Sequence, residues 1–227
     1  MTKHRALAAC LALALPLTLS ACGGADEQTP GAAESSATAV ESPSGAADST
    51  PSAADSASVP AELQSLSSWK GEWNNIDNYL DDPALAPGYE AAAKKNNSTP
   101  DEEKAALHKR RASDFGGLVI DGDKITFLDN FPSKDGKEIS SSEYTWDKTY
   151  ESVVGGKTRT WYAFKATDSA AKYPTVMFFP IDHEEDLLHF HMRYGNTPDE
   201  LLAKEDWFPT VVSPDTTTEQ LIAEISE

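Results

Sequence analysis

The chain has 227 residues, with 19 Lys and Arg against 37 Asp and Glu, a formal net charge of −18 at pH 7. That balance disfavours nucleic acid and direct adhesion to anionic lipid, both of which are bound through clustered cations. There are two cysteines, and one of them, Cys10, lies in an N-terminal segment that processing would remove, so no internal disulfide is expected.

Residues 1–21 read as a signal peptide. Lys3, His4 and Arg5 form a short positive region, and residues 6–19 are apolar but too few for a spanning helix. The run ends in Leu19-Ser20-Ala21-Cys22, which resembles the bacterial lipobox. The resemblance implies cleavage before Cys22, lipid on its thiol, and a chain anchored to the outer side of the bacterial cell membrane. An ordinary secretory signal cleaved nearby is the plainer alternative. Residues 23–60 follow as a linker, 29 of whose 38 residues are Ala, Ser, Thr, Pro or Gly, without aromatic residue, Leu, Ile, Lys or Arg. Such a segment buries too little apolar surface to offset its ordering entropy, and as a coil would span on the order of 35 Å.

Residues 61–227 form the folded part, of a size for one domain. All five tryptophans lie here, and its charge is −14, from 17 basic and 31 acidic residues. Residues 61–68 read as a short polar helix. Trp69 and Trp73, in Trp69-x-Gly71-x-Trp73, read as core anchors, and in residues 74–80 Ile76, Tyr79 and Leu80 fall at helical spacing. Residues 89–95 read as a helix. A further helix starts at Thr99-Pro100-Asp101-Glu102, with Thr as cap, Pro at the first position and acids in the first turn, and runs to about residue 113. It carries His108 among Lys109, Arg110 and Arg111, which reads as an exposed or satisfied histidine. The pattern then changes to strands at residues 117–120, 124–128, 143–153, 158–166, 175–180 and 188–194, with turns at Asp121-Gly122, Asp135-Gly136 and Gly155-Gly156. Short helices are expected at 198–205 and 216–225, the last burying Leu221, Ile222 and Ile225. Strands in a row after helices predict an α+β, mainly β chain, an up-and-down antiparallel meander or small barrel with flanking helices. There are no internal repeats, no Gly-rich phosphate loop and no G-x-S-x-G motif.

Three of the five histidines, His183, His189 and His191, fall within nine residues. In a strand His189 and His191 share a face, with Cα atoms roughly 7 Å apart, while Leu188, Phe190, Met192 and Tyr194 form an apolar opposite face. If residues 183 and 189 pair across a hairpin turn containing Glu184, Glu185 and Asp186, residue 181 pairs with 191 and all three histidines converge. Three imidazoles form a metal site with one position left over for a four-coordinate ion such as zinc, and with no thiolate present a soft copper(I) site is disfavoured. A lone His-x-His is more often two unrelated histidines; the third, six residues upstream, favours metal.

These residues together resemble the ZinT (YodA) family of extracytoplasmic zinc-binding proteins. The marks are Trp69-x-Gly71-x-Trp73, residues 115–122, Asp182-His183 followed by His189-Phe190-His191, and Gly195-Asn196 with Trp207 and Pro209 downstream. The resemblance covers residues 68–226. It implies a calycin, lipocalin-like barrel with flanking helices, zinc and also cadmium as bound metals, His183, His189 and His191 as ligands, and delivery towards a zinc ABC transporter and its substrate-binding protein. Soluble members carry a histidine-rich N-terminal stretch, whereas this linker has no histidine. Two other functions fit parts of the pattern. A zinc-dependent hydrolase would use the open fourth position and a nearby acid such as Asp182, Glu184, Glu185 or Asp186 as general base. A lipocalin-like carrier would need an apolar inward face at residues 189 and 191, which the histidines oppose.

Overall fold

The computed structural model describes residues 59–184 and 186–227. The signal segment, Cys22 and the linker as far as residue 58 lie outside the described residues. Nine strands and four helices follow in order, with single turns of 3-10 helix between them. They are β1 (Gly71–Asn75), α1 (Ala86–Asn96), α2 (Pro100–Arg111), β2 (Gly117–Asp121), β3 (Lys124–Leu128), β4 (Glu138–Val154), β5 (Lys157–Ala166), β6 (Thr175–Phe178), β7 (Asp182–Glu184), β8 (Leu187–Gly195), α3 (Pro198–Leu202), β9 (Thr210–Val212) and α4 (Thr218–Ser226). Every strand pair is antiparallel. β1 to β6 run as a meander, β8 joins β6, and β9 inserts between β8 and β1, closing eight strands into a barrel with β7 added beside β8. This is the small antiparallel barrel with flanking helices that the strand pattern predicts, and it agrees with the lipocalin-like barrel that the family resemblance implies. Among the described residues no helix is long and apolar enough to cross a membrane.

Local chemistry explains the punctuation. Thr99 and Glu102 form a capping box at the start of α2, each side chain accepting from the other's backbone N–H. The β4–β5 hairpin turns at Gly155 and Gly156, whose φ values of 57° and 75° demand glycine. Residues 74–80 differ from the helical expectation. Residues 71–75 are strand and only Ile76–Tyr79 is helical, as one 3-10 turn. Both tryptophans are nonetheless buried core anchors. Leu66–Trp69 and Ala61–Gln64 are likewise 3-10 turns, where one polar helix is predicted.

The barrel interior is a cluster to which all eight closed strands contribute, including Trp73, Leu118, Phe127, Tyr144, Phe164, Phe178, Phe190 and Val211. Trp69 lies against Tyr162, Phe164 and Phe178, and its Nε1–H donates to the Phe179 carbonyl at 2.8 Å. Two smaller clusters cover the outside. One packs Tyr89 of α1 and Leu221 and Ile225 of α4 on Leu187 of β8 and Val212 of β9. The other joins Trp161, Ala163 and Met177 to Leu201 of α3 and Phe208. Along β8, Phe190, Met192 and Tyr194 face the interior and Leu188 packs against it, as the alternation predicts. The odd-numbered residues therefore face outward, and His189 and His191 stand in the gap between the two outer clusters.

Candidate metal centre

His189 and His191 are brought together. Their ring centroids are 5.2 Å apart, at 68°. His189 is 1 % exposed, and its Nδ1 lies 3.0 Å from the Leu187 carbonyl. A carbonyl only accepts, so Nδ1 carries the proton and the neutral ring keeps a lone pair on Nε2, the tautomer a metal ligand needs. His191 is half-buried. β9 pairs with β8 so that Val212 lies opposite His189 and Thr210 opposite His191. Thr210 Oγ1 is 2.7 Å from His191 Nδ1 and donates to the Phe208 carbonyl at 2.9 Å, so it can accept an Nδ1–H and leave Nε2 of that ring free as well.

Arg111, the last residue of α2, closes the site from outside. Its Nη1, which can only donate, is 3.0 Å from His191 Nδ1, a hydrogen bond only in the tautomer that leaves that nitrogen unprotonated, and it donates to Thr210 Oγ1, while its Nη2 donates to Glu224 of α4 at 2.8 Å. Both partners of that ion pair are nearly buried. His191 is held well below the usual imidazole range, first by burial, then by the positive charge of Arg111, by its neighbour His189, beside which a second charge would be repelled, and by Arg159 and Arg110. A metal ion therefore meets a neutral ring.

His183 is placed differently from the sequence expectation. β7 and β8 do form the hairpin, but Asp182 lies opposite His189 and His183 opposite Leu188, not 183 opposite 189 and 181 opposite 191. Directly opposed residues share a face, so Asp182 takes the histidine side and His183 is exposed beside it. The cause lies upstream. Phe178 pairs with Met192, and between that pair and Asp182–His189 the register shifts by one residue, across Phe179-Pro180-Ile181. Pro180 has no N–H to hold a ladder there. Among the described residues no three His, Cys, Asp or Glu side chains are grouped to hold a metal ion. His108 is satisfied elsewhere, its Nδ1 2.8 Å from Asp77 and its Nε2 3.4 Å from Asp81.

The two histidines line an open cleft of about 1060 Å³ at the mouth of the barrel. Phe179 and Phe208 flank His191, each presenting a ring edge-on at about 6 Å. The tip of the β4–β5 hairpin, Asp182 and the segment carrying Glu205 and Asp206 complete the walls. Sequence reasoning missed Arg111, Thr210 and Glu224. The β-branched run Thr210-Val211-Val212 signals a strand, and with it Thr210; nothing local marks Arg111 as the buried member of Lys109-Arg110-Arg111.

Residues 55–227 match the family described as ZinT (YodA), periplasmic lipocalin-like zinc-recruitment. A curated relative, the probable metal-binding protein YrpE of Bacillus subtilis, is 30 % identical over 151 residues, 64 % of this chain and 57 % of YrpE. The chain thus matches little more than half the length of that relative. Among solved structures, the Zn(II)-bound ZinT-like domain of Streptococcus pneumoniae AdcA has the same fold, with a TM-score of 0.60 and 22 % identity over 76 % of this chain and 94 % of that one. Zn(II)-bound AdcA itself aligns with a TM-score of 0.57 and 24 % identity, over 71 % of this chain and 35 % of AdcA. With the family match running from residue 55 to the last residue described, the chain belongs to the ZinT (YodA) family, whose members recruit zinc outside the cytoplasm and are not enzymes.

Proposed function

We propose that this chain captures zinc, and also cadmium, through His183, His189 and His191, and that it supports zinc uptake from the membrane surface, held there by lipid on Cys22. The observation that carries the reading is the paired imidazoles of His189 and His191, one with its tautomer fixed by a backbone carbonyl and the other able to offer Nε2 over Thr210. Two imidazoles hold zinc poorly, so a third ligand is needed. His183 stands one residue of register away, on a three-residue strand at the sheet margin. A further one-residue advance of β7 would bring it opposite His189, and a bound ion would favour that register by the free energy of the added bond. The fourth position remains open for release to a receiving protein. AdcA, in which a ZinT-like domain is part of a longer Zn(II)-bound chain, supports a zinc-transporter substrate-binding protein as that receiver.

Calorimetric titration with zinc tests the ligand set. About one ion per chain is expected. His183→Ala, His189→Ala and His191→Ala should each lower affinity by more than the roughly 10- to 100-fold that follows loss of an outer hydrogen-bond partner. His108→Ala should leave it unchanged. Normal affinity in His183→Ala with a deficit in Asp182→Ala would assign the third position to the carboxylate that faces His189. Loss of binding in His108→Ala would move the site to another part of the molecule.

A further inference from the structure

The cleft is built from a selective set of cations. From residue 61 onward the chain has thirteen lysines and four arginines. Three of those arginines, Arg110, Arg111 and Arg159, line this one cleft, and none of the lysines does. The fourth, Arg193, is buried against Trp161 and Phe208, with its guanidinium bonded to backbone carbonyls. A cleft that takes only a dication should have no guanidinium at its wall, because like charges repel and the rest of the surface is acidic. Arg111 is accounted for by Glu224. Arg110 and Arg159 are exposed, and no described residue forms an ion pair with either side chain. Asp182, Glu205 and Asp206 also line the cleft.

We propose that the cleft takes zinc together with a small carboxylate anion, which fills the coordination position left open by the histidines and lies against Arg110 and Arg159. The inference rests on the zinc site proposed above. A carboxylate is a good zinc ligand, and its second oxygen matches the planar fork of guanidinium, which an ammonium does not offer. The anion lowers the charge of the bound ion where the cationic wall would otherwise oppose it. It also leaves the metal held partly by an exchangeable group, which a receiving protein can replace without breaking a bond to this chain.

Acetate is the probe. Zinc affinity of the full-length chain is measured by competition with a chromophoric chelator, in sodium acetate and in sodium perchlorate at equal pH and ionic strength. Affinity should be about tenfold higher in acetate, the scale of one charge-assisted hydrogen bond. Acetate's own weak hold on zinc works against this result. In an Arg110→Gln/Arg159→Gln double variant the gain should vanish, while affinity in perchlorate should equal or exceed that of the parent, since both charges are exposed and repel the ion. Cobalt(II) bound to the parent should change its visible absorption on addition of acetate. Equal zinc affinity in the two salts would overturn the proposal, as would loss of affinity in Asp182→Asn with no response to acetate, which would make Asp182 the occupant. Acetate bound equally well without metal would overturn it too, leaving a simple anion site. No zinc binding in either salt would instead remove the metal site on which the proposal stands.

Discussion

At the scale of single residues, the site depends on how His191 is held. Its ring is half-buried, faces Thr210 through Nδ1, and has Arg111 at 3.0 Å, with His189 beside it and Arg110 and Arg159 adding positive charge. All of these disfavour the imidazolium, so the folded-state pKa lies well below 6.5. The unfolded chain would titrate this ring near pH 6.5. The linkage follows directly: above about pH 6.5 neither state binds the proton and the stabilisation is complete. As pH falls from there towards the lowered folded value, the unfolded state binds more protons than the native state, and stability is lost by up to about 1.4 kcal/mol per pH unit. Denaturant midpoints of the metal-free chain at pH 7 and pH 5.5 should therefore separate, and His191→Gln should reduce the separation. An equal separation in parent and variant would mean that the ring is not desolvated in the native protein.

At the scale of elements, α2 and α4 brace the two strands that carry the site. Arg111 ties the end of α2 to Thr210 of β9 and to Glu224 of α4, and its buried Nε has no partner among the described residues. Removing one member of a buried pair strands the other charge, which costs about 3–5 kcal/mol. Glu224→Ala should destabilise on that scale in chemical denaturation, and an Arg111→Leu/Glu224→Leu double variant should be less destabilised than the single one. A loss below about 1 kcal/mol for Glu224→Ala would show that water replaces the carboxylate. The sequence signals differ in strength among these elements. The start of α2 is legible because Thr99, Pro100 and Glu102 each act locally, and β8 because its alternation is strict. β1 is not, since Trp73 and Ile76 sit at a spacing that a helix would also bury, and only the neighbouring strands β2 and β9 decide otherwise. β9 has three residues, too few for a period to show. The His189–His191 pair was legible from its own two-residue spacing. The register of His183 was not, because it depends on a one-residue shift around Pro180 that turn composition does not encode.

At the scale of the whole molecule, the barrel gives the proposed metal site a rigid floor and an open approach. The interior is filled by apolar side chains from all eight closed strands, most of them aromatic, and the histidines lie on the outward face of β8, where the cleft meets solvent. A site so placed needs nothing from the residues that precede the domain. The family match begins at residue 55, close to the boundary that composition sets at residue 61. Deleting residues 23–60 should accordingly shift the melting temperature by no more than a few degrees, and a larger fall would mean that part of that segment packs on the barrel. The role proposed for the N-terminal residues is attachment. A thioether-linked lipid needs the thiol of Cys22, and Ser in its place offers no equivalent chemistry, whereas the histidines lie more than 150 residues further along the chain. Cys22→Ser should therefore move the protein from the membrane fraction to the soluble fraction, with zinc stoichiometry and affinity unchanged. The two readouts separate the roles. Retention in the membrane fraction would point to attachment by another route, such as an uncleaved apolar segment, and loss of zinc binding alongside release would tie the N-terminus to the site.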